Sequence, residues 1–240
     1  MTLPDRGSPA PAIAAPSIAV VVPIYREAAR LPALLAQLRS QPADEVILVD
    51  GGSDDGSQAI LQQSGLTWIE TAAGRARQMN AGAAQVTSDV ILFLHADTEM
   101  TAAHLQAVRA AMVDARVVGG RFNLRLSGEQ WVFRVIEWLI NWRSRLTRIS
   151  TGDQCIFIRR SLFEQLGGFP DLPLMEDVAL SKQMKRVGRI ACLKEPVVTS
   201  SRRWEQHGIA RTVLLMWQLR LLYWLGVSPA RLAARYRLAR

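Results

Sequence analysis

Apolar positions along this chain gather into short uninterrupted runs, each followed by a polar segment bearing glycines or acids. Residues 18–23 (IAVVVP), 45–50 (EVILVD) and 90–94 (VILFL) are such runs, with a shorter one at residues 67–70. A strand buried on both faces reads as a continuous apolar run, so these segments predict strands of a parallel sheet. Between them the period changes. Residues 27–38 carry Ala28, Leu31, Leu34, Leu35 and Leu38 at helical spacing, a short helix is expected from Ser57, and residues 75–86 read as another helix. Strand–helix alternation implies right-handed crossovers, and such sheets bind ligands beyond the carboxyl ends of their strands.

Beyond residue 115 the pattern shifts. Residues 119–126 and 155–158 predict strands, and residues 162–166 and 179–187 predict helices. Residues 131–146 predict an amphipathic helix on which Arg134, Glu137, Asn141 and Arg145 share one face and Trp131, Trp138 and Trp142 share another stripe. Those tryptophans either pack in the core or meet a membrane surface. Residues 209–227 are strongly apolar, but Arg211, Gln218 and Arg220 interrupt them, so no membrane span is expected there.

Composition sharpens this picture in two places. The 240 residues are 49% hydrophobic, which suits one large α/β domain with a sizeable core. The net charge of +8 is concentrated after Ser201, where eight arginines face one acid, Glu205. These arginines alternate with large apolar side chains, which points to an anionic membrane surface and away from nucleic acid as partner. The expected division is a flexible proline-rich tail over residues 1–17, a catalytic domain over 18–201 and a basic amphipathic helical segment over 202–240. Residues 1–17 carry no apolar core of signal-peptide type. Cys155 and Cys192 are far apart and form no C-x-x-C pair, so a reduced, cytoplasmic setting is expected, with peripheral contact at the cytoplasmic face of the inner membrane.

The candidate chemistry lies at the ends of the runs. His95 and Asp97 follow the run at 90–94, and Asp50 ends the run at 45–50, so both carboxylates open on one sheet edge. The loop after Asp50 (Gly51-Gly52-Ser53-Asp54-Asp55-Gly56) lets backbone approach a ligand, or forms a tight turn capping the next helix. A carboxylate on this rim suits a hard divalent cation, and such a cation suits a diphosphate. Arg75 and Arg77 stand near a helix start, where they could hold a phosphate or a base, or be solvated helix charges. Glu176-Asp177 follows the turn Gly167-Gly168-Phe169-Pro170; the pair can complement a helix dipole or supply a general base. No G-x-G-x-x-G follows the first strand and no P-loop lysine motif occurs, which ranks a Rossmann oxidoreductase low.

Taken in order, VVVPIYRE, EVILVDGGSDDGS, FLHAD and GDQCIFIRRSLFEQLGGFP with MEDVAL resemble the family 2 inverting glycosyltransferases of the GT-A fold, over roughly residues 18–188. The resemblance implies a mixed, mainly parallel sheet flanked by helices. It implies a nucleotide-diphospho-sugar donor, a Mg or Mn cofactor, and a hydroxyl acceptor of unknown identity, lipid-linked or apolar in one reading. Asp97 would be the metal ligand and Asp177 the base, with Glu176 beside it. Asp50, Gly51, Arg75, Arg77, His95 and Arg203 would lie on the donor side. Two departures stand out, because Gly51 and His95 occupy positions where the family commonly has acids; a non-catalytic nucleotide-sugar-binding protein on the same scaffold is the alternative they motivate. GRARQMNAGA, HADT and PLMEDV further resemble the bacterial subgroup associated with radical-SAM or selenium-domain proteins and arsenosugar biosynthesis.

Overall fold

The computed structural model describes residues 15–238, with the side chains of Arg203, His207 and Leu238 excepted. The proline-rich stretch before residue 15 therefore lies outside the described residues. The chain runs β1 (Ile18–Ile24), α1 (Leu31–Arg39), β2 (Glu45–Asp50), α2 (Ser57–Gln62), β3 (Trp68–Glu70), α3 (Arg75–Ala83) and β4 (Val90–Phe93). It continues through β5 (Thr98–Glu99), α4 (Ala102–Met112), β6 (Val117–Leu126), α5 (Trp131–Thr147), a 3-10 turn over Gly152–Gln154, β7 (Phe157–Arg159), α6 (Arg160–Gln165), α7 (Glu176–Val187) and β8 (Arg189–Thr199). Three helices end it: α8 (Arg202–His207), α9 (Ile209–Trp224) and α10 (Pro229–Leu238).

The strands form one eight-stranded sheet in the order β3-β2-β1-β4-β7-β6-β8-β5. β1 pairs in parallel with β2 and β4, and β2 with β3, as the apolar runs predict. β7 runs antiparallel between β4 and β6, so the sheet is mixed. The continuous run of β1 resolves into two faces. Ile18, Val20, Val22 and Ile24 pack with Leu31, Leu35 and Leu105 on one side, while Ala19 and Val21 pack with Met79, Ile91 and Phe93 on the other. Both faces are dry, which is why no polar alternation marks the strand.

Some boundaries depart from expectation. α1 begins at Leu31, because residues from Arg26 (φ 54°) to Arg30 turn first and Pro32 sets the helix start. The strand expected at 155–158 is shifted to Phe157–Arg159, because Cys155 takes a left-handed φ of 49°. β8 was not expected at all. Its sequence, RIACLKEPVVT, holds Lys194, Glu195 and Pro196 in mid-strand, and the structure accommodates them in an irregularity where Arg121 and Asn123 of β6 face Cys192 and Pro196. β6 and β7 meet so closely that a Cβ on Gly119 would stand 2.3 Å from the Phe157 carbonyl oxygen, which explains a glycine in mid-strand.

α5 buries one apolar stripe, with Phe133 and Ile136 packed on Leu124 and Leu126, and exposes another. Its polar face turns inward to the sheet edge: Asn141 exchanges two hydrogen bonds with the Leu124 backbone, Glu137 accepts from the Leu126 N–H, and Arg134 donates to the Leu126 and Gly128 carbonyls. Its tryptophan stripe turns outward, with Trp131 77%, Trp138 61% and Trp142 55% exposed. Of the two readings of those tryptophans, core packing is the one that fails.

Candidate active site

Parallel β1, β2 and β4 end on one edge, and there the sheet presents its polar loops. Asp50 at the end of β2 is fully buried. Its carboxylate accepts from the Gly52 and Ser53 amides at 3.0 and 2.8 Å, from the Ser53 hydroxyl, and from Gln58 Nε2 at 2.9 Å. Oδ2 takes three of these bonds and Oδ1 one, and the glycine loop is folded back upon a carboxylate that solvent does not reach. The loop is also tied to the chain after β1: Ser53 Oγ, Ser57 Oγ and Asp55 accept from the Arg26, Glu27 and Ala28 amides. Asp50 thus shapes the loop from beneath.

Gly51 has a specific neighbour. A Cβ there would lie 3.1 Å from the Gln78 amide, whose Nε2 donates to the Ile24 and Val49 carbonyls at the ends of β1 and β2. The buried Gln78 of α3 fills the room that a side chain at 51 would need. The absent acid at this position is therefore coupled to a present glutamine.

After β4 the chain turns through His95 and Ala96 to Asp97. The Asp97 carbonyl accepts from the Ser200 amide at 3.1 Å, which pins this turn to the end of β8. Asp97 is half-buried and lines a cleft of about 430 Å³ together with Arg30, Gln37, Glu99 and Ser127. His95 points elsewhere: its ring sits where a Cβ on Gly152 would be, 2.6 Å from that point. Gly152 in turn donates its N–H to Asp177 Oδ2 at 2.8 Å. The structure thus places His95 beside the Glu176-Asp177 motif.

That motif opens α7. Met175 precedes it in a left-handed conformation (φ 70°), an uncommon state for a bulky residue and one that concentrates at functional sites. Glu176 turns inward and is buried; Asp177 stays half-exposed, with Oδ1 accepting from the Val178 amide at 2.7 Å. Arg75, at the first position of α3, reaches Glu176 at 3.5 Å with its side chain 42% exposed. Burial raises the Glu176 carboxyl above its ordinary value and Asp177 adds to that, against the pull of Arg75. Burial works against the Arg75 charge, but Glu176, then Asp177, Tyr236 and Asp97 together outweigh it and raise its pKa. Arg77 points away, into a bidentate pair with Asp171 at 3.0–3.2 Å, with both side chains exposed. Arg203 belongs to α8, but its side chain is outside the described residues.

Several residues here carried no role in the sequence. α9 and α10 lie against the start of α7, where Leu219 and Leu232 pack on Met175 and Val178 with Tyr223 and Tyr236 alongside. Asp153 and Arg143 stand within electrostatic range of Asp177 and of each other. Asp153 sits within the GDQCIF stretch, so a polar residue between a glycine and an apolar strand was its only signal. Arg143 and the α9 side chains gave none, since nothing local says that a C-terminal helix returns to this edge.

The sheet order and this two-carboxylate rim define a nucleotide-sugar-transferase type of α/β fold. The model of the family described as "Glycosyl transferase family 2" matches residues 19–167, and the chain belongs to that family. The solved mannosyltransferase of Pyrobaculum calidifontis in complex with GDP-Man and Mn2+ superposes with a TM-score of 0.62 at 24% identity, covering 82% of this chain and 60% of that one, which shows the GT-A fold. The undecaprenyl-phosphate 4-deoxy-4-formamido-L-arabinose transferase of Aeromonas hydrophila is 29% identical over 138 residues, 52% of this chain and 42% of its own length. A PGL/p-HBAD biosynthesis glycosyltransferase of Mycobacterium bovis is 29% identical over 170 residues, 65% of this chain and 64% of its own. The chain thus spans between 42% and 64% of these relatives' lengths.

Proposed function

We propose that the chain transfers a sugar from a nucleotide-diphospho-sugar to an acceptor hydroxyl, in one displacement that inverts the anomeric carbon. The observation that carries this is the half-exposed Asp177 carboxylate, held by the Gly152 and Val178 amides beside Arg75, a guanidinium within electrostatic range of both Asp177 and Asp97. Each Asp177 oxygen accepts one amide and keeps a lone pair, so the base is aimed yet available. As the acceptor oxygen bonds to the anomeric carbon, its proton passes to Asp177. The bond from that carbon to the diphosphate breaks on the opposite side. Arg75, charged and partly exposed, supports the negative charge developing on the leaving group.

A divalent cation fits the donor set as a shared ligand. Among the described residues no group of three His, Cys, Asp or Glu could cage a metal. Mg2+ or Mn2+ at a nucleotide diphosphate needs only one or two protein carboxylates, the phosphates supplying much of the rest. Asp97 would hold it; when bound, such a cation neutralises charge on the diphosphate. On the donor side Asp50 acts through the loop it folds, Gly51 and Gln78 shape the floor, and His95 borders the sugar end near Asp177. Arg77 contributes through the Asp171 pair that ties α3 to the turn before α7. The subgroup resemblance has a physical counterpart, since its three segments supply Arg75, His95–Asp97 and Glu176-Asp177, which meet at this rim. Incubated with a panel of nucleotide sugars and Mn2+ or Mg2+, the chain is expected to release nucleoside diphosphate, and NMR of the product to show the inverted anomer. Donor binding without any release across the panel would instead favour a non-catalytic binding protein.

We also read the protein as peripheral to an anionic membrane, with a lipid-linked or apolar acceptor. Among the described residues no helix is long and apolar enough to cross a membrane. Leu214, Trp217, Leu221 and Trp224 of α9, and Leu225 just after it, are all more than half exposed, as are the α5 tryptophans. On each helix these side chains point opposite the residues packed on the body, so each stripe faces outward. Removing the C-terminal segment would uncover Met175 and Val178 at the site, so point substitutions are the cleaner test. Replacing Trp138, Trp142, Trp217 and Trp224 together by serine is expected to lower flotation with anionic liposomes about tenfold or more, because binding scales with apolar area inserted. An unchanged bound fraction would sink the membrane assignment.

A further inference from the structure

One charged cluster beside Asp177 has no part in the reaction as described. Arg143 projects from α5 and Arg220 from α9, two helices that both pack on the cluster of Leu124, Leu126, Phe133 and Ile136, α5 also through Val132 and Ile140 and α9 through Ile209 and Val213. Arg143 lies within electrostatic range of Arg220, Asp153 and Asp177. Its Nε and Nη2 are buried and donate to nothing, and Asp153 Oδ1 is buried and accepts nothing. Neither guanidinium forms a hydrogen bond or ion pair among the described residues. Buried donors without acceptors are costly, and so are like charges held side by side. Burial, and then Arg220, bring the Arg143 pKa down to about 10. Burial also raises the Asp153 carboxyl, with Asp177 adding to it against Thr151 and the two arginines.

We propose that Arg143 and Arg220 form an anion-binding subsite on the acceptor side of Asp177, built for a phosphoryl group that the acceptor carries. This rests on Asp177 being the base. Two guanidiniums offer the planar forks that phosphate oxygens accept best, and a phosphoryl group would satisfy the donors that the fold leaves bare. The subsite is built from the same two helices whose exposed faces carry the tryptophans and leucines. A membrane amphiphile that bears both a phosphate monoester and the attacking hydroxyl, and a soluble phosphorylated alcohol, would present the same group to it.

The test is calorimetric titration of the full chain with inorganic phosphate and with octyl phosphate, without donor or divalent metal. Both probes are expected to bind. Arg143→Gln and Arg220→Gln are each expected to weaken binding about tenfold or more, the scale of one charge-assisted hydrogen bond. Arg116→Gln, whose guanidinium is spent on Asp114 at the surface, should leave it unchanged. Octyl phosphate binding at least about tenfold tighter than phosphate would assign the acceptor to the amphiphilic source, and equal binding to the soluble one. If neither probe binds, or if both Gln variants bind as the native chain does, the subsite is overturned. Nucleoside diphosphate binding with Mn2+, measured on the same samples, reports that the variants are folded. It also separates the two readings: loss of phosphate affinity with donor affinity retained supports the subsite, and a native chain without donor affinity sinks the transferase reading alone.

Discussion

Asp177→Asn is expected to lower transfer by about 10²- to 10⁴-fold, the usual contribution of a positioned general base, while leaving donor affinity near its native value. The substitution is close to isosteric. One oxygen remains to accept an amide, from Gly152 or from Val178, so the opening of α7 keeps its shape. What disappears is the ability to take a proton. Glu176 cannot substitute, because it is buried and directed at Arg75. Its raised pKa reports burial first and the neighbouring Asp177 charge second. The measurement is steady-state transfer together with equilibrium donor binding on the same preparation. Transfer at a near-native rate would remove Asp177 from the mechanism; a parallel loss of donor binding would mean that the residue supports the donor pocket instead.

The order of strands and helices through β4 was legible because continuous apolar runs have few other uses in a chain of this length, and because helical spacing separates them. The carboxyl-edge placement of Asp50 and Asp97 followed from parallel pairing alone. Side-chain direction was another matter. Asp50 at a strand end reads as donor-facing, yet the loop it precedes closes over its carboxylate, and only the path of residues 51–58 reveals that. Gly51 looked like a missing acid until Gln78, a residue of the next helix but one, was seen to fill the space. His95 follows the β4 run, but backbone geometry after Phe93 turns it to Gly152 and so toward Asp177. β8 escaped notice because Lys194, Glu195 and Pro196 break its apolar pattern, and the irregularity that accommodates them exists only against β6. The polar face of α5 was identified correctly as a face, but periodicity cannot say which face points inward. There the backbone groups of Leu124 and Leu126 needed partners, and polar side chains supplied them.

Asp97→Ala bears on the other half of the reaction, and it distinguishes Asp97 from His95 as the metal-facing residue. The turn that carries Asp97 is held by its backbone, through the Ser200 amide on the Asp97 carbonyl and the Thr98–Thr199 hydroxyl pair, so the carboxylate can be removed without releasing the loop. Titration of nucleoside diphosphate in the presence and absence of Mn2+ is the measurement. In the native chain Mn2+ is expected to tighten binding; in Asp97→Ala the tightening should fall by about 10- to 100-fold or vanish, as happens when a metal site loses an essential contact. Metal-free affinity should hardly move, because it depends on the Asp50-organised loop and on Arg75. His95→Ala should keep the Mn2+ effect, since its ring rests on Gly152, and should instead disturb Asp177, whose position depends on the Gly152 amide. The opposite pattern, with the metal effect lost in His95→Ala and kept in Asp97→Ala, would move the cation to the histidine. That outcome would also recast the missing acid at position 95 as a change of metal ligand, where the present geometry makes it a change in how the base is held.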